Sequence, residues 1–148
     1  MLKVLIAEDE FLIADLLEEK LIACGYDVCG IARTVDEAVE LCEVHKPDLA
    51  ILDVRLANGG RGPEIAKRTG SKGKFGVLYA TGEDARTSTL TLEDGEAAIT
   101  KPYQPADVVR GLAIVHEIVT AGDSAAPFPH GFRLLTKVPA ALASGSLQ

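Results

Sequence analysis

Five short apolar runs alternating with segments of helical period predict an α/β domain: a doubly wound, five-stranded parallel sheet with helices on both faces. The runs at residues 3–7, 28–32, 49–52, 75–80 and 97–100 are strand-sized, and the first, third and fourth are almost continuously apolar. Strands covered on both faces read this way, whereas half-exposed strands alternate.

The first run leads into a segment whose Ile13, Leu17, Leu21 and Cys24 share one helical face while Asp15, Glu18 and Glu19 solvate another, and Gly25 can end it. After the second run, Thr34 and Glu37 stand in capping-box spacing, Ala38, Leu41, Cys42 and His45 form a stripe, and Pro47 stops the helix. The third helix is short, with Pro63 suited to its first turn and Gly70 to its end. The fourth helical slot, residues 83–93, differs: Thr87, Ser88, Thr89 and Thr91 are weak helix formers without an apolar stripe, which predicts a short, irregular or mobile element. The last helix runs from Pro105 to about Val119 with Val108, Leu112, Val115 and Val119 inward. Gly111, Ile114 and Ile118 give it a second apolar edge that the sheet cannot cover, so a partner or the tail should bury it. The expected division is a domain over 1–121 and an Ala-, Pro-, Gly- and Ser-rich tail over 122–148 with no effector domain, in which 127–135, carrying Phe128 and Phe132, is expected to dock partially.

A net charge of −7 and a pI near 4.9 argue against a sequence-independent grip on nucleic acid. No apolar run approaches the ~18 residues of a spanning helix, and acid arrives too early for a signal peptide, so the expectation is a cytoplasmic protein without membrane or nucleic-acid partners. Cys24, Cys29 and Cys42 match no zinc or redox spacing and are expected to be reduced and mostly buried. Arg61, Lys67, Arg68, Lys72 and Lys74, interspersed with Gly70, Gly73 and Gly76, make a local basic stretch without the Gly-Lys-Ser/Thr ending of a phosphate loop, and read as a solvated face.

In an open α/β sheet ligands bind beyond the carboxyl ends of the strands. The first strand ends in Glu8-Asp9, the third in Asp53, the fourth in Thr81 and the fifth in Lys101-Pro102. Three converging carboxylates require neutralisation by a hard divalent ion or by Lys101, and Mg²⁺ is the natural ion. A carboxylate that can attack phosphorus, a cation to balance the transferring oxygens, and a lysine and hydroxyl to hold the rest are the parts of an acyl-phosphate chemistry.

The segments LIAEDE, LAILDV, YATG and TKPY, in this order and spacing, resemble the response-regulator receiver domains of two-component systems over roughly residues 2–120. The resemblance implies the flavodoxin-like strand order 2-1-3-4-5, Asp53 as phospho-acceptor, Asp9 as direct Mg²⁺ ligand and Glu8 as a ligand through water. It further implies metal ligation by the backbone carbonyl of Arg55, a hydrogen bond from Thr81 to the phosphoryl group and an ion pair from Lys101. Many receivers carry an aromatic rotor three residues before the lysine; here Ala98 stands there. Tyr79-Ala80-Thr81-Gly82 instead resembles a Phe-Ala-Thr-Gly (FATGUY-like) subgroup, often single-domain and paired with HWE and related histidine kinases. Tyr79, Gly82, Glu83, Arg55 and Pro102 are then switch or tuning positions, with Gly82 a hinge and Arg55 and Glu83 a charge pair across the route of water to the acyl phosphate.

The implied partners are a sensor histidine kinase, HWE-type among the options, or a histidine phosphotransfer protein, and a downstream protein target. Such a protein is not an enzyme beyond catalysing its own aspartyl phosphorylation and dephosphorylation. A Mg²⁺-dependent aspartyl-phosphate phosphohydrolase would want an acid two residues after the nucleophile, where Arg55 stands. A phosphorylation-independent scaffold would have no need of Glu8, Asp9, Asp53, Thr81 and Lys101 together.

Overall fold

The computed structural model describes residues 1–71, 74–125 and 127–139. Five parallel strands, β1 (Lys3–Ala7), β2 (Asp27–Ala32), β3 (Leu49–Asp53), β4 (Gly76–Thr81) and β5 (Ala97–Thr100), alternate with α1 (Phe11–Ala23), α2 (Val35–His45), α3 (Gly62–Thr69) and α4 (Pro105–Ala121). A sixth strand, β6 (Phe132–Leu134), follows and pairs antiparallel with β5, giving the order β2-β1-β3-β4-β5-β6. The order 2-1-3-4-5 therefore holds for the parallel strands, and the tail adds an edge strand that composition did not reveal.

The sheet separates two apolar layers. One gathers Leu5, Ala38, Cys42, Leu52, Ile65, Tyr79 and Leu90 against α2 and α3; the other gathers Ile6, Leu17, Leu21, Ile51, Leu78, Leu112 and Val115 against α1 and α4. Every residue of β3 and β4 is buried, which is why those two runs lack alternation. Local chemistry sets the helix ends: Thr34 Oγ1 accepts from the Glu37 N–H at 3.2 Å, the Glu64 carboxylate accepts from the Arg61 N–H at 3.2 Å, and Gly70 closes α3 in a left-handed conformation with φ 62°.

Residues 83–93 form turns and no helix, held by Asp84, Ser88, Thr91 and Asp94 side chains that cap backbone N–H groups at 2.9–3.2 Å. Short polar side chains that compete for the backbone explain why this slot never becomes a helix. Among the helical residues read as inward, Cys24 and Val119 are exposed, each at the C-terminal end of its helix, although a methyl of Val119 still lies over Gly76 of β4. Of the cysteines only Cys42 is buried; Cys29 is half-buried and Cys24 exposed, which corrects the expectation of mostly buried thiols. Arg61, Lys67, Arg68 and Lys74 are all exposed, whereas Lys72 and Gly73 of that stretch, and residues 140–148 of the tail, lie outside the described residues.

The second apolar edge of α4 is covered by the tail. Phe132 is buried against it, and a Cβ on Gly111 would meet the Phe132 ring at 2.9 Å, so the missing side chain is the notch that seats the ring. Phe128 packs against Phe132 with ring centroids 5.1 Å apart and the planes tilted by 55°. No described helix is long and apolar enough to cross a membrane.

Candidate functional site

The carboxyl ends of β1, β3, β4 and β5 open into a cavity of about 430 Å³ lined by Asp9, Glu10, Asp53, Val54, Arg55, Thr81, Gly82, Glu83 and Lys101. Parallel pairing brings them there: Asp53 lies opposite Ala80, and Thr81 opposite Thr100, one residue before the lysine. Of the expected residues, Glu8, Asp9, Asp53, Arg55, Thr81, Gly82, Glu83 and Lys101 converge on this edge. Tyr79 and Pro102 do not line the cavity. Tyr79 is fully buried one turn of the pleat below, donating its hydroxyl to the Asp94 carbonyl at 2.7 Å, and Pro102 is exposed behind a cis Lys101–Pro102 peptide.

Lys101 Nζ sits 2.9 Å from Glu8 Oε1 and 2.9 Å from Asp53 Oδ2. Glu8 is 3 % exposed and Asp53 7 %, so this is a desolvated cluster and not a surface ion pair. Glu8 also accepts from the Glu10 N–H at 3.1 Å. Among the described residues, Glu8, Asp9 and Asp53 form the one group of three metal-ligating side chains, each offering an oxygen, with those oxygens within 4.8 Å of one another.

The electrostatics divide the two buried carboxyls. Burial, then the neighbouring Glu8 carboxylate, push Asp53 up to about 7 against the pull of Lys101. Burial works to raise Glu8 as well, but hydrogen bonds from Lys101, from Asp53 and from the Glu10 N–H outweigh it and hold Glu8 below the usual carboxylate range. A proton shared between the two therefore rests on Asp53. Burial works to lower Lys101, yet bonds to Asp53 and Glu8 overcome it and keep the ammonium charged well above its ordinary range. With three acids and one lysine the cluster is short of positive charge, and its all-oxygen donor set fits a hard divalent cation such as Mg²⁺.

Thr81 is buried, and its hydroxyl accepts from the Glu83 N–H at 3.0 Å, so in this state it caps the following turn. Arg55 Nη2 approaches Glu83 Oε1 at 3.6 Å across the mouth, with the Arg55 side chain 80 % exposed. Sequence reasoning passed over two residues near the cluster. Glu10, the third acid of the run after β1, lines the cavity. Tyr103 is half-buried and pushed up to about 12 by burial and by the Glu8 carboxylate; the TKPY segment contained the signal. A larger cleft of about 680 Å³ at the opposite end, between α2 and α3, is lined by charges of both signs, Glu43, Lys46, Asp48 and Arg68.

Residues 4–113 match the response regulator receiver domain family. The chain is 36 % identical over 114 residues to the transcriptional regulatory protein PdtaR of Mycobacterium tuberculosis, an alignment covering 76 % of this chain and 55 % of that protein. It is 36 % identical over 107 residues to the phyllosphere-induced regulator PhyR of Methylorubrum extorquens, covering 72 % and 40 %. The chain thus spans about half the length of these curated relatives. Among solved structures, a CheY-like response regulator receiver domain protein from Methanospirillum hungatei superposes with a TM-score of 0.71 at 25 % identity, covering 82 % of this chain and 98 % of that one. The response regulator PhyR of Brucella abortus superposes with a TM-score of 0.61 at 32 % identity, covering 70 % and 43 %.

Proposed function

The chain belongs to the response regulator receiver domain family, and from that premise we propose that it is a two-component receiver that accepts a phosphoryl group on Asp53 with Mg²⁺ held beside it. The observation that carries this reading is the bridge of Lys101 to both Glu8 and Asp53 at 2.9 Å, at the base of an open cavity on the carboxyl edge of the sheet.

Asp53, once deprotonated, attacks phosphorus in line with the leaving group. The donor's P–N or P–O bond breaks, its electron pair departs with the donor, and an acyl phosphate forms on Asp53. Glu8, Asp9 and Asp53 would hold the Mg²⁺, with the backbone carbonyl of Arg55 completing the protein's share. The metal supplies positive charge against the transferring oxygens. Lys101 neutralises charge on the opposite side, and the Thr81 hydroxyl, released from the Glu83 N–H, donates to a phosphoryl oxygen. Arg55 stands where a phosphohydrolase would keep an acid, which supports a chemistry limited to the protein's own aspartyl phosphate.

The donor is a histidine kinase or a histidine phosphotransfer protein, and the output is contact with a downstream protein in the cytoplasm. Phe11, Leu12 and Leu16 support a protein donor: they are 74 %, 73 % and 57 % exposed on α1, whose first turn borders the cavity, so an incoming phosphohistidine can be seated by apolar contact beside its target. The Tyr79-Ala80-Thr81-Gly82 segment and the absence of a ring at Ala98 support a subgroup that switches without an aromatic rotor.

Intact mass after incubation with acetyl phosphate and Mg²⁺ tests the reading. The expected result is one added phosphoryl group, absent from Asp53→Asn and absent without metal. An unmodified wild-type protein that still binds Mg²⁺ and a stable phosphoryl analogue would leave a short-lived adduct; one that binds neither would reduce the domain to a scaffold.

A further inference from the structure

β6 places Arg133 opposite Ala98, the position where a rotor ring would stand. β5 offers only a methyl group there, so the arginine lies on the face of the sheet that carries Tyr79, Leu90 and Leu135. It lines a crevice of about 50 Å³ with Ser88, Leu90, Leu135 and Thr136. Its Nη2 is buried with no hydrogen-bond partner, the one side-chain nitrogen or oxygen in that condition among the described residues. Burial depresses the guanidinium, and the carboxylates that oppose this are Asp84 and Glu83.

Neither carboxylate is bonded to it in this state. Glu83 faces Arg55 at 3.6 Å, and Asp84 faces Arg86 at 3.4 Å while capping the Arg86 N–H at 2.9 Å. An exposed pair such as Asp84–Arg86 contributes little, whereas an unpaired buried donor favours any conformation that gives it an acceptor. The segment between can move: Thr81 holds it only through the Glu83 N–H, and a Cβ on Gly82 would meet nothing within 4 Å, so packing does not pin the residue.

The strand that carries Arg133 is wired to both sides of this region. The Thr100 N–H donates to the Gly131 carbonyl and the Leu135 N–H to the Glu96 carbonyl, each at 3.0 Å, and on the other side the Leu92 N–H donates to the Thr136 carbonyl at 2.9 Å. A shift of the arginine is thereby felt both by β5 and by the irregular segment 83–93.

We propose that Arg133 is the phosphorylation switch of this receiver: when Thr81 turns to the phosphoryl group, the freed 82–84 segment brings Asp84 onto the Arg133 guanidinium, and β6 carries the change to the edge of the sheet. The inference rests on Asp53 being the phospho-acceptor. A charged side chain supplied by the tail thus takes the place of a ring supplied by β5, and the tail becomes part of the signalling surface.

Hydrogen exchange with and without beryllofluoride and Mg²⁺, on the wild type, Arg133→Gln and Asp84→Asn, tests it, beside intact mass with acetyl phosphate. All three proteins are expected to take one phosphoryl group. In the wild type the amides of Leu92, Leu135 and residues 86–88 should exchange roughly tenfold more slowly with the analogue, the size of one charge-assisted bond gained; in both variants the change should be under about twofold. Should Arg133→Gln release the tail, seen as fast exchange at Leu135 without analogue, Asp84→Asn decides, because Asp84 is exposed and asparagine still accepts the cap bond. A full wild-type response in Asp84→Asn, or an adduct in the wild type without added protection, overturns the switch and leaves the acceptor standing. A wild type that takes neither phosphoryl group nor analogue overturns both.

Discussion

Burial and the Glu8 carboxylate keep Asp53 partly protonated near neutral pH, which sets the cost of the site before any cation arrives. Its pKa is about 7 in the folded protein and near 3.8 in the unfolded chain, so between those values the folded state binds more protons. Stability of the metal-free protein attributable to this group therefore falls as pH rises through that window, and stays reduced above it. Asp53→Asn removes the charge while leaving the Glu8–Lys101 pair. The variant should exceed the metal-free wild type at pH 8 by at least about 1 kcal/mol, a figure discounted because the cavity opens to solvent, and the two should converge near pH 4. Denaturant titrations at both pH values check this, and a wild type that is the more stable at pH 8 would contradict it. Mg²⁺ should stabilise the wild type and leave Asp53→Asn nearly unchanged. At the mouth, the Arg55–Glu83 pair would stand in the path of water to the acyl phosphate proposed on Asp53. Arg55→Ala should shorten the phosphoaspartate lifetime by about 2- to 5-fold, a modest effect for a pair so exposed; equal or slower decay counts against it. These residues were legible in the sequence because each ends a strand, and strand ends share an edge. The direction of Thr81 was not, since a hydroxyl at that position serves a cap or a phosphoryl group equally well.

At the scale of elements, the site depends on how closely α3 approaches β3. The Gly62 N–H donates to the Val54 carbonyl at 2.9 Å, and a Cβ on Gly62 would collide with the backbone oxygen of Asp53 and press on the Tyr79 ring at 3.3 Å. Gly62→Ala must therefore push the helix away or shift the acceptor strand. We expect a loss of about 1–3 kcal/mol, the usual range for overpacking, together with weaker Mg²⁺ binding; thermal melts with and without Mg²⁺ read both, and an unchanged melting temperature would show that α3 yields freely. Nothing in the sequence distinguishes Gly62 from Gly59 or Gly60, because the constraint comes from a tertiary approach and not from a turn. The strands β1, β3, β4 and β5 and the capped helix α2 were legible for the opposite reason: their signals are local, in burial pattern and in Thr34 with Glu37. The irregular segment 83–93 was readable as well, from its threonines and serine. β6 escaped, since three residues flanked by prolines and glycines carry no period, and only its partner β5 makes it a strand.

Across the whole molecule, β6 sends consecutive side chains to opposite layers of the core. Phe132 enters the layer of α1 and α4, closing the edge of α4 over Gly111 and Ile114, while Arg133 lies in the layer of α2 and α3 beside the irregular segment. Alternation along a strand makes this division unavoidable once β6 pairs with β5. The two roles fall to different side chains, and sensing depends on fastening: the ring holds the strand on the domain, and only on a fastened strand does the guanidinium answer to residues 82–84. Phe132→Ala should cost about 2–3 kcal/mol, less than a central aromatic because the site is peripheral, and lower the melting temperature by roughly 5–10 °C. Phosphorylation of Asp53 by acetyl phosphate should persist in this variant, since neither Phe132 nor Gly111 touches the cavity, but its exchange protection at residues 83–93 should no longer depend on the phosphoryl group. A variant that melts lower yet retains that dependence would mean that Arg133 reaches its partner without the strand being fastened, and would detach the switch from the edge of the sheet.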